Sequence, residues 1–266
     1  MQYEFQSLIS KLSNLKNTSN VIEWSSPVPF FGDCSHATVA TVGINPSNRE
    51  FVCAKGMELE DAARRFHTLR SLGIRSWEDA DMIHARMVEK ACEDYFSINP
   101  YDSWFRRIDR VINGTNCSFY NNRACHIDLV PFATSRKWAL LETLERESLL
   151  LSSSEEMKSI VSRSKVRILV LNGATVVERI SRLYKIDWEI ELKQEWNLAR
   201  RNGKHVQGIS YRGLLEVGEG RKRRKILLLG FNHNIQSSFG VTTLVIESIR
   251  DWITTSAREH SRGKMF

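Results

Sequence analysis

Four short runs of the chain are apolar at their centres: 36–44, 165–173 and 225–233 continuously so, and 123–132 nearly so. None alternates cleanly with polar positions. Such runs belong to strands buried on both faces, as in a parallel sheet, rather than to strands with one wet face. The segments between them read as helices over 57–73, 77–96, 101–114, 139–150, 152–164 and 174–184, with a last helix over 238–260. Strands alternating with helices call for right-handed crossovers. The predicted fold class is α/β: a three-layer α/β/α sandwich with a central four-stranded, mostly parallel sheet, in a single domain over 1–266.

Local signals set the boundaries. The serines and glutamates of "SSSEEMKSIV" predict a helix start near 152, while "VINGTN" and "LYKIDW" predict helix ends. Residues 186–224 are charged and contain tryptophan and glycine, so an irregular insertion is expected there. Residues 258–266 are expected to be a loose tail. No repeat or low-complexity tract appears.

Composition narrows the class. Hydrophobic residues make up 42% of 266, enough for a substantial core. No apolar run reaches membrane-spanning length, and the first residues lack a basic start followed by an apolar block. A cytoplasmic location without membrane attachment is expected. The five cysteines are odd in number and show no C-x-x-C spacing, which argues for structural thiols and against a disulfide framework or a metal site. The net charge of +7 favours a polyanionic partner, nucleic acid being the common case.

In an open α/β sheet, ligands bind at the carboxyl ends of the strands. Those ends carry Asn45-Pro46-Ser47, Asp128 to Pro131, Asn172-Gly173 and Asn232-His233-Asn234. The chain has no phosphate-binding P-loop, no dinucleotide fingerprint after the first strand and no G-x-S-x-G elbow. Amides, one carboxylate and one histidine remain as the polar chemistry.

"GINPS" over 43–47 resembles the first motif of the uracil-DNA glycosylase superfamily, in the G-[IM]-N-P form of its mismatch-specific branch. "FNHNIQSSFG" over 231–240 resembles the second motif, although it departs from the usual His-Pro-Ser. "HIDLVPF" and "ILVLNG" match the second and third strands, and "NPYDSWFRRIDRVI" matches the aromatic helix before the second strand. The resemblance spans about residues 36 to 250. It implies a monofunctional glycosylase that acts on double-stranded DNA without a cofactor or metal, here expected as a monomer.

By that resemblance Asn45 holds the attacking water, aimed by the turn at Pro46, and His233 donates to the pyrimidine O2. The chemistry agrees, since glycosidic cleavage needs a positioned water and a donor for the departing base. The base must leave the stack, and a wedge fills the gap. Ile235, Phe239 or Gln236 is the expected wedge. Ser237 and Ser238, at the start of the last helix, are expected at a DNA phosphate together with Ser47. Arg221, Lys222 and Arg223 are further candidates for phosphate contact, or a solvated loop. Phe51 is a candidate to stack on the flipped base, with Ile44 beside it.

Asp128 stands where uracil-selective relatives place an asparagine that reads the base edge. A carboxylate only accepts hydrogen bonds, which suits the exocyclic amine of cytosine and opposes O4 of uracil. A modified cytosine is therefore the expected target, with antiviral defence as the setting. A uracil or mismatch repair enzyme and a non-catalytic DNA-binding module are the alternatives.

Overall fold

A computed structural model describes residues 1–15, 20–199, 205–220, 223–236 and 240–262 of the chain. The fold is mixed α/β. The strands are β1 (Phe30–Phe31), β2 (Val39–Gly43), β3 (Ala124–Asp128), β4 (Ile168–Asn172), β5 (Glu189–Ala199), β6 (His205–Val217) and β7 (Arg224–Phe231). They form one sheet in the order β1-β3-β2-β4-β7-β6-β5. β2 pairs parallel with β4, and β4 with β7, while β1/β3, β7/β6 and β6/β5 are antiparallel. All four sequence-predicted strands are present, and every residue of β2, β3 and β4 is buried. The sheet nevertheless holds seven strands rather than four.

Two of the additional strands overturn the irregular insertion expected over 186–224. β5 and β6 form a long antiparallel pair, with a register shift between Lys193 and Leu198. The buried positions of β6 are Gly208, Ser210, Gly213, Leu215 and Val217. Small residues thus carry much of the two-residue period, so no hydrophobic alternation advertises it. Their smallness has a cause. A Cβ on Gly208 would meet the Trp196 Cβ at 2.3 Å and the Lys193 carbonyl at 2.5 Å. Trp196 is fully buried, stands edge-on to Trp252 and donates through Nε1 to Ser248 Oγ at 3.0 Å.

The helices are α1 (Gln2–Asn14), α2 (Leu69–Leu72), α3 (Met82–Glu93), α4 (Tyr95–Ile98), α5 (Asp102–Ile112), α6 (Thr143–Arg163), α7 (Ala174–Leu183) and α8 (Thr243–Arg262). Three expectations change. The segment 57–73 is not one helix: only α2 and a single 3-10 turn form there, and Arg65 reaches out to the carbonyls of Arg49 and Asn99. The predicted start near 152 lies inside α6. Ser153 is buried there and satisfies its hydroxyl on the Leu149 and Leu129 carbonyls, so the serine cluster does not end the helix. Residues 258–262 continue α8 rather than forming a tail, while 263–266 lie outside the described residues.

By its contacts the chain divides into two compact units. The first comprises Met1–Ser35, Gly43–Tyr101 and His126–Ser164; the second comprises His36–Val42, Asp102–Cys125 and Lys165–Phe266. In the first, α1 buries Phe5, Leu8, Ile9 and Leu12, and its Glu4 and Lys11 pair with Arg163 and Glu156 of α6. In the second, β2, β4 and β7 form the centre, and α8 lays Ile246, Ile249 and Ile253 into the interior. No helix among the described residues is long and apolar enough to cross a membrane.

Gly208→Ala places a Cβ on backbone and buried tryptophan that have little room to yield. It should lower stability by about 1–3 kcal/mol in chemical denaturation. A loss below about 0.5 kcal/mol, the scale of a neutral surface change, would contradict the close approach of Gly208 to Trp196.

Candidate functional site

β2 ends at Gly43, and the backbone beyond it remains tied down. Leu129 N–H donates to the Gly43 carbonyl at 3.2 Å and Val130 N–H to the Ile44 carbonyl at 2.7 Å. Asn45 follows in a half-buried position. Its Nδ2 donates to Thr134 Oγ1 at 3.1 Å, to the Pro46 carbonyl at 3.2 Å and to the Phe132 carbonyl at 3.4 Å. Among the described residues its Oδ1 accepts nothing. The amide is therefore oriented through its nitrogen and keeps an acceptor in reserve. Ile44 is half-buried beside it. Ser47 is exposed and caps the 3-10 turn Asn48–Glu50 by accepting from Arg49 N–H at 3.2 Å.

Against this strand end lies a buried pair from β3. His126 and Asp128 are two residues apart and so share one face of the strand. His126 Nε2 donates to Asp128 Oδ1 at 3.2 Å, with both side chains almost fully enclosed. The pair presses on Gly43: a Cβ there would stand 2.4 Å from Asp128 Oδ1 and 2.7 Å from His126 Nε2. The glycine of "GINPS" is thus required by contact, not by a turn.

A second buried acid belongs to the same unit. Glu50 accepts from the Tyr95 hydroxyl at 2.7 Å, and that hydroxyl accepts from Tyr101 N–H at 2.8 Å. Arg65 Nε lies 4.0 Å away. Burial pushes the Glu50 carboxyl up to about 7, and the charge of Asp128 pushes the same way, while Tyr95 and Arg65 oppose the rise. Aromatic rings enclose the group. Phe31 contacts both Tyr95 and His126, Phe66 stacks on Tyr95 at 5.0 Å, and Phe51 sits between Phe66 and Trp24. The result is a dry cluster in which one carboxyl holds or releases a proton near neutral pH.

Sequence reasoning missed Glu50, Tyr95, His126 and Thr134. His126 had a readable signal, its spacing of two from Asp128 on a strand. Phe51 requires correction: its ring is 1% exposed and packed among other aromatics, so it presents no open face to a base.

In the second unit, the asparagines of the strand ends hold a loop together. Asn172 donates to Gln236 Oε1 at 2.6 Å and accepts from Ile235 N–H at 3.0 Å. Asn232 accepts from Ile209 N–H at 2.9 Å and donates to the Gln207 carbonyl at 2.7 Å. Asn234 accepts from Gln236 N–H at 3.0 Å. His233 is buried and its Nε2 donates to the Trp196 carbonyl at 2.7 Å. Burial lowers its pKa, the Trp196 carbonyl partly offsetting the shift. In the neutral ring Nδ1 is then an acceptor, so His233 is not placed as the donor to a pyrimidine O2.

Ile235 is fully buried, where a wedge would have to project. Gln236 is committed to Asn172. Arg223 pairs with Glu216. Ser237, Ser238, Phe239, Arg221 and Lys222 lie outside the described residues. Cys34, Cys92, Cys117 and Cys125 are buried, and burial raises the thiol pKa of Cys34 and Cys92.

Glu50 yields a pH prediction. Its folded value, about 7, lies above its ordinary 4.5. Between these limits the folded carboxyl keeps a proton that the unfolded chain gives up. The stability it contributes is therefore fully present below about pH 4.5 and is lost as pH rises through about 7. Glu50→Gln should flatten that loss, which is on the order of a few kcal/mol, in denaturation curves taken from pH 4.5 to 8. Parallel pH profiles for the two proteins would refute the assignment. No protein-family model matches this chain, and no curated protein sequence matches it.

Proposed function

We propose that the chain is a monofunctional DNA glycosylase. It acts as a monomer in the cytoplasm on double-stranded DNA, removing a modified cytosine from phage DNA in antiviral defence. The observation that carries this reading is Asn45: its amide nitrogen is fixed by Thr134, Phe132 and Pro46, and its oxygen is left to accept a hydrogen bond from water. The layered arrangement, with helices covering both faces of the sheet, belongs to the same reading.

The water oxygen attacks the sugar carbon that bears the base. The glycosidic bond breaks, its electron pair departs with the base, and the proton that the bound water sheds to solvent is matched by one the base anion takes up from solvent. Asn45 aligns the water. Asp128, turned by His126 through one oxygen, offers the other to the exocyclic amine of a cytosine. His233 contributes by fixing the loop after β7, not by touching the base.

The test is base release from duplexes holding uracil, cytosine, 5-hydroxymethylcytosine or glucosylated 5-hydroxymethylcytosine, followed by alkaline cleavage. Breaks are expected only at a modified cytosine, and Asn45→Ala should slow them by about a hundredfold or more. An Asn45→Ala protein with undiminished release would sink the mechanism. Breaks only at uracil would keep the activity and discard the role of Asp128. Where modified cytosine is the substrate, Asp128→Asn should shift preference toward uracil, because an amide can also donate to O4.

A further inference from the structure

Three core strands begin at an arginine. Arg123 directly precedes β3, Arg167 directly precedes β4, and Arg224 is the first residue of β7. All three belong to the second unit, at the amino ends of its strands. β4 is five residues long, so Ile168 and Asn172 stand about 13 Å apart. The arginine edge is thus separate from the loop that Asn172 holds.

A cavity of about 530 Å3 opens at this edge. Arg123, Arg167, Arg258 and Arg262 line it, and no aspartate or glutamate does. Other arginines of the same unit have carboxylate partners: Arg106 pairs with Asp102, Arg182 with Glu178 and Arg212 with Glu259. Among the described residues the four cavity arginines have none within ion-pair distance. Arg224, whose side chain donates to the Val166 carbonyl, lies close enough for the Arg167 charge to add to burial in lowering its pKa. Like charges gathered without counter-charge repel unless an anion joins them.

The floor differs from the rim. Val39, Ile168 and Ala257 are apolar and largely buried beneath the arginines, and Thr115 and Ser261 add hydroxyls. Guanidinium forks match phosphate oxygens bidentately, and an apolar floor accepts a flat base or a sugar edge. A recessed cavity suits a small ligand better than the convex backbone of a duplex. We propose that this cavity binds a nucleotide, with its phosphates on Arg123, Arg167, Arg258 and Arg262 and its nucleoside on the floor made by Val39, Ile168 and Ala257.

The experiment is calorimetric titration of the full chain with ATP, GTP, CTP and UTP, with inorganic tripolyphosphate, and with a short unmodified duplex, at about 0.15 M salt. At least one nucleotide should bind with unit stoichiometry and more tightly than tripolyphosphate. The double variant Arg167→Gln/Arg258→Gln should weaken that binding by about tenfold or more. Its melting temperature without ligand should not fall, because both side chains are exposed and their removal relieves like-charge repulsion. The single variant Arg262→Gln provides a second reading if the double variant folds poorly. Absence of nucleotide binding, or binding that both variants retain, would overturn the site. Tripolyphosphate binding as tightly as every nucleotide would remove the nucleoside subsite. Duplex binding that falls in the variants while no nucleotide binds would make the arginines a DNA contact and overturn the proposal.

Discussion

The contact between Gly43 and the His126–Asp128 pair governs the first unit. β2 and β3 are buried along their whole length, so a polar pair can exist there only if its charge is met inside the protein. Asp128 is met by His126, and both lie where any larger residue at position 43 would stand. One missing Cβ thus admits a histidine and a carboxylate to a largely apolar and aromatic interior. The same strand end then turns through Pro46 and delivers Asn45 beside it. Packing and the placement of polar groups therefore share one constraint at "GINPS".

Glu50 shows how that constraint spreads. Asp128 is near enough for its charge to raise the Glu50 carboxyl, whose burial among Phe31, Phe51 and Phe66 already disfavours ionisation. The Tyr95 hydroxyl accepts from Tyr101 and donates to Glu50, so the acid is oriented whether or not it holds a proton. Two acids in one dry cluster, differing in partner, settle into different roles. One is held by an imidazole, and the other is poised near neutrality. The aromatic residues matter here as insulation: they keep water from screening the two groups.

The parts of the fold that were legible in the sequence share one property. β4 and β7 are rich in leucine, isoleucine and valine, β2 and β3 lie in runs with valine, isoleucine and alanine at their centres, and the hydrophobic effect marks all four. β5 and β6 were illegible because glycine and serine fill much of the buried side of β6, and their role depends on Trp196 lying opposite. That is a tertiary fact with no local signature. The serines of α6 misled for a related reason: a serine that satisfies its hydroxyl on a carbonyl one turn back, as Ser153 does on Leu149, is no longer a cap. The helix expected over 57–73 failed because its charged residues serve other segments, as Arg65 does for Arg49 and Asn99. At the candidate site Asn45 and Asp128 were legible as polar breaks in apolar runs. Glu50 was not, since "NRE" reads as an ordinary polar turn until the aromatic shell is in place.

Asparagine at several strand ends suggested one polar edge, and the hydrogen bonds separate its members. A primary amide has a donor end and an acceptor end. Asn172 and Asn232 engage both on protein: each is bonded to the backbone or a side chain of a neighbouring segment. Asn45 uses only its donor end. An amide bonded at both ends holds a loop in place. An amide fixed by its nitrogen alone is already oriented when water arrives, so alignment costs little further entropy. Residue type alone drew these asparagines together. On the proposed reading, the free oxygen is what fits Asn45, rather than Asn172 or Asn232, to align a water.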